Sequence, residues 1–135
     1  MKEHSFSEKE RIKKRKELEM VFSEGKTIFS KNGKFKAVFL QTEWKNTPIK
    51  IAVGVSRKAG NAVWRNRIKR LMRESYRQNK NFFADNVFTE NKTLLVFFSP
   101  NRLNKKNNRI IKLDKVTPEI LELVKSIGIF IKRHS

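Results

Sequence analysis

The sequence contains no cysteine, no long apolar run and few acidic residues. The absence of cysteine excludes disulfides and thiolate metal sites and permits a reducing compartment. No apolar stretch reaches the ~18 residues that a membrane-spanning helix needs, and the polar segment Met1–His4 has no apolar core of a signal peptide. These absences predict a cytoplasmic protein.

Residue types that usually carry hydrolytic chemistry are also scarce. The two histidines, His4 and His134, stand near opposite ends of the chain, where order is least expected. The sequence has no paired-carboxylate spacing, no zinc-type histidine motif and no glycine-rich phosphate loop. It therefore indicates no catalytic centre in the protein itself, and it assigns no metal ligand.

Positive charge is what the chain has in excess. Thirty-two Lys and Arg face thirteen Asp and Glu, which gives a formal net charge of +19 at pH 7. Such a surplus repels itself in the folded state, so it indicates a polyanionic partner: nucleic acid, the ribosome or an anionic membrane. A disordered basic tail is the alternative, but the basic residues are interleaved with periodic apolar positions and do not form one block.

The length suits one domain over residues 1–135. Residues 1–10 are predicted to be flexible, and residues 101–115 to form a basic loop. Hydrophobic spacing predicts seven elements in the order helix, three strands, helix, strand and helix. They are a helix through Leu18, Val21 and Phe22 that ends at Gly25, strands over 27–30, 35–40, 49–56 and 94–98, a helix over 59–77, and a last helix with Thr117 as N-cap and Pro118 as first residue.

The apolar run Leu94–Phe98 is typical of a central strand that is buried on both faces. Asn32-Gly33 between the first two strands is a strong hairpin signal. The pattern as a whole predicts an α+β fold of two layers, in which a four-stranded mixed sheet packs against helices.

The predicted helix over 59–77 has one apolar and one basic face. At about 100° per residue, the apolar stripe comprises Trp64, Ile68, Leu71, Met72 and Ser75. The opposite arc comprises Arg65, Lys69, Arg70, Arg73 and Arg77, and Arg67 lies on the other flank of the stripe. Arginine can donate two hydrogen bonds to one phosphate and is weakly hydrated, so this face suits a nucleic-acid backbone. The acid Glu74 pairs with Arg70, with Arg77 or with neither.

The turn before this helix, from Ser56 to Asn61, places more donors at the helix start, where backbone N–H groups also favour phosphate. An ordinary solvated basic face is the alternative. Helix propensity does not explain Asn66 between two arginines, and this favours the binding interpretation.

The segment from Gly54 to Glu74 reads Gly-Val-Ser-Arg-Lys-Ala-Gly-Asn-Ala-Val-Trp-Arg-Asn-Arg-Ile-Lys-Arg-Leu-Met-Arg-Glu. It resembles the signature segment of the bacterial ribonuclease P protein component, with Arg57 as a mild departure. The resemblance covers about Arg11 to Pro100 well and the last helix loosely. It implies the fold of the second domain of ribosomal protein S5 and a single RNA-binding domain.

In that family, a large RNA is the catalyst and uses Mg²⁺ to remove the 5′ leader of precursor tRNA. The resemblance implies that these residues contact the catalytic RNA: Arg57, Lys58, Asn61, Arg65, Asn66, Arg67, Lys69, Arg70 and Arg73. It also implies a tRNA-processing endonuclease whose catalytic centre is in the RNA subunit, which holds most of the Mg²⁺. The expected partners are the ribonuclease P RNA and precursor tRNA, with no membrane and no required protein partner.

The family binds the single-stranded leader in a cleft between the first helix and the sheet. The resemblance implies that this cleft is lined by Lys13, Lys14, Leu18, Phe22, Phe35, Lys36 and Phe39. Core packing is the alternative for the three phenylalanines, and the strand register decides whether Phe39 or Val38 faces the cleft. Leu18 stands where an aromatic residue is common in the family.

The segment Asn101–Lys115 either contacts RNA or is a neutral insertion, and the low cost of loop length favours the insertion. Two other functions compete with the ribonuclease P interpretation. A protein-only nuclease would need a catalytic constellation that the sequence lacks, and composition alone does not exclude a ribosomal or nucleoid structural protein.

Overall fold

The computed structural model describes residues 8–87 and 91–134, and a four-stranded mixed sheet lies at its centre. The strands are β1 (Lys26–Phe29), β2 (Phe35–Glu43), β3 (Ile49–Val53) and β4 (Lys92–Pro100). Their order across the sheet is β1-β2-β4-β3, with β4 antiparallel to β2 and parallel to β3. The predicted central position of the run Leu94–Phe98 is confirmed.

In the described part of the chain, four α-helices cover the sheet: α1 (Arg15–Glu24), α2 (Ala62–Arg77), α3 (Lys80–Val87) and α4 (Leu113–Arg133). The last three pack on one face and enclose the main core. On the other face, α1 contributes Val21 to a smaller cluster with Val38 and Leu95. The α+β sheet with packed helices is confirmed, and α1 adds cover to the face opposite the main core. None of the helices in the two described stretches has the length and apolar character to cross a bilayer.

Alternation along β2 divides its side chains between the two faces. Phe35, Ala37 and Phe39 enter the main core, whereas Val38 and Leu40 belong to the cluster under α1. Of the two residues that could face the cleft, Phe39 and Val38, the register therefore places Val38 on the α1 side.

A buried acid helps to hold α1 on the sheet. Glu17 is only 5% exposed, and its carboxylate lies 3.4 Å from Lys50 Nζ and 3.5 Å from Lys45 Nζ. A carboxylate in such a position needs a cationic partner, since an unpaired buried charge is costly. Two lysines from the sheet side thus fix the first turn of α1.

Helix α3 is an element that the hydrophobic pattern did not predict. It is eight residues long and buries only Phe83 and Val87, so its apolar stripe has a single repeat. Close packing against α4 holds it: a Cβ atom at Gly128 would lie 2.2 Å from the carbonyl oxygen of Asn86. Tertiary contact therefore makes a helix where local spacing gives a weak signal.

The predicted start of the last helix is wrong. Helix α4 begins at Leu113 after Lys112, so Pro118 lies inside the helix and Thr117 is not its N-cap. The extra turn buries Val116 completely, and the Thr117 hydroxyl pairs with the Ser75 hydroxyl at 2.9 Å. These contacts offset the helical hydrogen bond that is lost because Pro118 has no backbone N–H. The loop before α4 ends at Lys112, earlier than predicted.

Of the N-terminal segment that the sequence predicts to be flexible, Glu8–Glu10 form a short 3-10 turn, and residues 1–7 lie outside the described part. Glu10 accepts hydrogen bonds from the Tyr76 hydroxyl and, at 2.8 Å, from Lys80 Nζ. Burial and the hydrogen bond to Glu10 raise the pKa of Tyr76. The segment before α1 is thereby attached to α2 and α3.

Candidate nucleic-acid interface

Helix α2 is anchored by the apolar stripe that the helical wheel predicts. Its buried residues are Trp64, Ile68, Met72, Ser75 and Tyr76, and Leu71 packs against the core while partly buried. The opposite side carries Lys69, Arg70 and Arg73, of which Arg70 and Arg73 are exposed. The predicted orientation of the helix is confirmed, so these cations point away from the core.

The turn before α2 is built by side-chain capping. Ser56 Oγ accepts a hydrogen bond from the Lys58 backbone N–H at 3.3 Å, and Asn61 Oδ1 accepts one from the Trp64 N–H at 3.0 Å. Asn61 is therefore the N-cap of α2, a role that satisfies one of the helix's unpaired N–H groups. Arg57 and Lys58 lie exposed in the 3-10 turn ahead of it.

The two arginines around Asn66 each make one contact that fixes their direction. Arg65 Nε donates to the carbonyl oxygen of Gly60 at 3.1 Å, and Arg67 Nη2 donates to that of Ile111 at 3.0 Å. A guanidinium has five N–H donors, so each contact leaves donors for another acceptor. The side chains are held in place before any ligand arrives, while Asn66 between them is exposed.

The charges along α2 are distributed unevenly. Glu74 accepts two hydrogen bonds of 2.8 Å from Arg77, which lower the pKa of Glu74 and raise that of Arg77. This settles which arginine pairs with the acid. Burial, and then the neighbouring charge of Arg11, lower the pKa of Arg73. A phosphate beside Arg73 would relieve that repulsion.

The leader-cleft prediction fails for two of its phenylalanines. Phe35 is 1% exposed and Phe39 is 3% exposed, and both belong to the main core on the face away from α1. They are wrong as cleft residues because odd-numbered positions of β2 point toward α2–α4. The core-packing alternative is confirmed for this pair.

The aromatic surface on the α1 side is instead formed by Phe22 and Phe97. Phe22 is 53% exposed, and its ring meets that of Phe97 edge to face with centroids 4.8 Å apart. Gly54 makes room for this arrangement, since a Cβ atom there would lie 2.6 Å from the Phe97 ring. The sequence does not single out Phe97, because a continuous apolar run predicts a strand that is buried on both faces. Strand alternation places Phe97 on the α1 side of the sheet and Phe98 on the side of the main core.

Three neighbours extend this surface across the sheet. Phe29 on β1 pairs with Lys36 on β2, which pairs with Ser99 on β4, so the three side chains share one face. Phe29 is 54% exposed and Lys36 is partly exposed. The Ser99 hydroxyl is buried and has no hydrogen-bond partner among the described residues. We call Phe22, Phe97, Phe29, Lys36 and Ser99 the α1-side groove.

The remaining cleft candidates lie at the start of α1. Lys13 and Lys14 are exposed immediately before the helix, and Lys13 Nζ forms an ion pair with Glu8 at 2.6 Å. Leu18 is partly buried within α1. Their predicted contact with RNA stays a prediction. Among residues 8–87 and 91–134, no cluster of three His, Asp or Glu side chains could hold a metal ion.

Comparison with known proteins gives one consistent family. The model of the family described as Ribonuclease P matches residues 6–121. A ribonuclease P protein component from Petrotoga mobilis is 37% identical over 116 residues, which cover 84% of this chain and 95% of the relative. One from Clostridium kluyveri is 34% identical over 120 residues, which cover 89% of this chain and 96% of the relative.

Solved structures give the same result for the fold. The ribonuclease P protein from Thermotoga maritima superposes with a TM-score of 0.67 at 25% identity and covers 87% of this chain and 97% of its own. That from Staphylococcus aureus superposes with a TM-score of 0.65 at 20% identity and covers 90% and 97%. The chain with this basic helix therefore belongs to the ribonuclease P protein component family.

Proposed function

We propose that the protein binds two RNAs on two separate surfaces. As a member of this family, the chain is a protein subunit of ribonuclease P and takes part in processing the 5′ end of tRNA. The outward face of α2 holds the catalytic RNA, and the α1-side groove holds the single-stranded leader of precursor tRNA.

One observation carries the first assignment: the basic face of α2 is outward, and the acid within it is already paired. Trp64, Ile68 and Met72 fix the helix to the core, so the opposite cations keep their spacing. Glu74 is bound to Arg77, which leaves Arg70 and Arg73 to present positive charge to a partner. Cations one helical turn apart, at ~5–6 Å, are close to the phosphate spacing of an RNA strand.

The second assignment rests on the chemistry of the α1-side groove. Phe22 and Phe97 offer ring faces and edges for unpaired bases, and Lys36 adds a cation for the backbone. Stacking of a base on an aromatic side chain is worth about 1–3 kcal/mol and tolerates any sequence. A groove of this kind suits a leader strand whose sequence varies between tRNAs.

We assign Mg²⁺ and the chemical step to the RNA subunit. The donor set of residues 8–87 and 91–134 does not fit a protein-held divalent ion, since it includes no cluster of three carboxylate or imidazole groups. The protein's contribution is then charge and position. Its cations neutralise RNA phosphates that would otherwise need more Mg²⁺ for folding and substrate binding.

Reconstitution tests this function directly. Precursor tRNA is incubated with the ribonuclease P RNA of a related bacterium over a Mg²⁺ titration, with and without the protein. We expect the protein to lower the Mg²⁺ concentration needed for half-maximal cleavage and to give no cleavage by itself. Cleavage by the protein alone would identify a protein-only nuclease, and an unchanged Mg²⁺ requirement would favour a ribosomal or nucleoid role.

Replacing Phe22 with alanine is expected to weaken the binding of precursor tRNA and not that of mature tRNA. Because the Phe22 ring is half exposed and pairs with Phe97, the loss of stability should stay below the ~3–5 kcal/mol of a fully buried phenylalanine. Loss of one stacked base should weaken precursor binding by about 1–3 kcal/mol and leave mature tRNA unaffected. Filter binding of the two tRNAs to the assembled complex measures the difference.

Trp44→Ala is the matched control, since Trp44 is 49% exposed and directly follows the end of β2. It should change neither affinity. Equal loss with both tRNAs in Phe22→Ala would show that the ring supports the fold and not the leader.

A further inference from the structure

We propose that the segment 101–112 is a second element for the catalytic RNA and binds its phosphate backbone beside the start of α2. We call this segment the tethered loop. The inference rests on the proposed function, because it extends the RNA surface of α2. It differs from the sequence-based preference for a neutral insertion.

Three hydrogen bonds attach the tethered loop to α2 and the turn before it. The Lys105 backbone N–H donates to the carbonyl oxygen of Ala59 at 2.7 Å, and Trp64 Nε1 donates to that of Asn108 at 3.0 Å. Arg67 Nη2 donates to the carbonyl oxygen of Ile111 at 3.0 Å. Donors from the signature segment and from the loop therefore hold the two together at three points.

Burial of apolar side chains in the main core also holds the tethered loop against α2. Leu103 is 3% exposed and Ile111 is 7% exposed, so the loop is anchored in the main core near both of its ends. Gly60 lies between the Trp64 ring and Lys105, and a Cβ atom there would lie 2.8 Å from the ring and 2.9 Å from Lys105 Cβ. A glycine at this position lets the loop approach α2 closely.

The loop also has a turn of its own. Asn104 Oδ1 accepts a hydrogen bond from the Asn107 N–H at 2.9 Å, and the Asn104 carbonyl accepts one from the Asn108 N–H at 2.8 Å. This turn orders residues 104–108, and Lys106 and Asn107 at its apex are exposed. An ordered basic turn loses less conformational entropy on binding than a flexible one.

The charge of the loop has one sign. Between Asn101 and Leu113 the sequence has no acid and five basic residues, namely Arg102, Lys105, Lys106, Arg109 and Lys112. Lys106, Arg109 and Lys112 are exposed. Because the tethers place the loop beside Arg57 and Lys58, the basic surface of α2 continues onto it. Such a surface fits a folded RNA, whose phosphates follow one another along a strand.

Arg67 acquires a positioning role in this arrangement. It is half buried, and its guanidinium is bound to the carbonyl oxygen of Ile111 at the end of the loop. The arginine therefore aligns the loop with α2 in addition to any contact of its remaining donors with RNA.

Salt-dependent binding to the ribonuclease P RNA tests the proposal. We expect Lys106→Ala with Arg109→Ala to reduce the slope of log K against log salt by about 1.4–1.8 and to weaken binding on the order of tenfold near 0.15 M salt. Lys125→Ala with Arg133→Ala is the control, since it removes the same charges from exposed positions on α4. Equal slopes in the two double variants would overturn the proposal.

A site-directed probe provides a second measurement. The chain has no cysteine, so Asn107→Cys and Ser126→Cys each create a unique, exposed attachment point for a photocrosslinker. In the full complex we expect crosslinks from position 107 to the catalytic RNA and none from position 126. Crosslinks from position 107 only to precursor tRNA, or to neither RNA, would contradict the assignment.

The role of Arg67 is tested by non-additivity. Arg67→Ala should lower the salt slope, and combining it with the loop double variant should lower the slope by less than the sum of the two effects. Arg67→Lys should restore part of the slope, because an ammonium can also donate to the carbonyl oxygen of Ile111. Full additivity would show that Arg67 acts independently of the loop.

These outcomes separate the two proposals. If the wild-type protein binds the ribonuclease P RNA no better than an unrelated RNA of equal length, the proposed function fails. If the wild type binds specifically and α2 variants weaken it, but the loop variant behaves like the α4 control, only the role of the loop fails.

Discussion

Replacing Lys69, Arg70 and Arg73 together with alanine is expected to weaken binding to the ribonuclease P RNA on the order of 100-fold near 0.15 M salt. The three side chains lie on the outward side of α2, and in the described part of the chain none of them forms a hydrogen bond or ion pair within the protein. If each contacts one phosphate, the slope of log K against log salt should fall by about 2.1–2.7. A binding titration over several salt concentrations measures both quantities.

The control removes the same charge from other exposed sites, with Lys92, Lys125 and Arg133 replaced by alanine. Both triple variants should unfold within about 0.5 kcal/mol per site of the wild type, since exposed cations contribute little to the core. Equal loss of affinity in the two would show that net charge, and not the α2 surface, drives binding.

Phe35→Ala is expected to have the largest effect on stability. The Phe35 side chain is 1% exposed in the main core. Its backbone N–H donates a hydrogen bond to the Ser30 hydroxyl, and its carbonyl oxygen accepts one from the same hydroxyl. Truncating a buried phenylalanine costs about 3–5 kcal/mol, because it leaves a cavity and loses apolar burial. That is a large part of the ~5–15 kcal/mol that stabilises a typical domain. Urea unfolding followed by circular dichroism measures it.

Phe29→Ala on the neighbouring strand is the matched comparison, since Phe29 is 54% exposed and should cost far less stability. We also expect Phe35→Ala, where still folded, to keep the preference for precursor over mature tRNA. If Phe35→Ala is as stable as the wild type but loses this preference, Phe35 contacts the leader and is not a core residue.

The sequence was sufficient for features that rest on periodicity. Trp64, Ile68 and Met72 follow a clear helical stripe, and the structure buries all three. The apolar run of β4 likewise predicts a central strand, because a strand that is apolar on both faces needs cover on both faces, which is typical of the middle of a sheet. Long, regular patterns of this kind are set by burial alone.

The sequence does not show which face of the sheet a side chain lies on or which residue it contacts. The family resemblance implies Phe35 and Phe39 as cleft residues, and the alternating pattern of β2 does not tell which of its faces is covered by α1. The edge-to-face contact of Phe22 with Phe97 depends on the glycine at position 54 of an adjacent segment. Such cross-strand relations are properties of the sheet register and not of any one strand.

Short elements and long-range hydrogen bonds also leave little signal in the sequence. Helix α3 has too few apolar positions for a periodic signal, and α4 begins before Pro118 because Val116 is buried. The tethered loop lacks hydrophobic period, but Trp64 and Arg67 bind its backbone carbonyls from more than forty residues away. Backbone acceptors have no sequence signature, so these attachments could be seen only in three dimensions.

The decisive measurement for two separate RNA surfaces is the ratio of precursor to mature tRNA affinity in the reconstituted complex. At protein concentrations that saturate the catalytic RNA, the wild-type protein should increase the affinity of the complex for precursor tRNA. The affinity for mature tRNA should stay nearly unchanged. Phe22→Ala should lower that ratio without affecting assembly, and the α2 triple variant should restore the wild-type ratio once enough protein is added. Equal tightening of both tRNAs by the wild type, or a ratio that the α2 variant lowers even at saturation, would contradict the two-surface account.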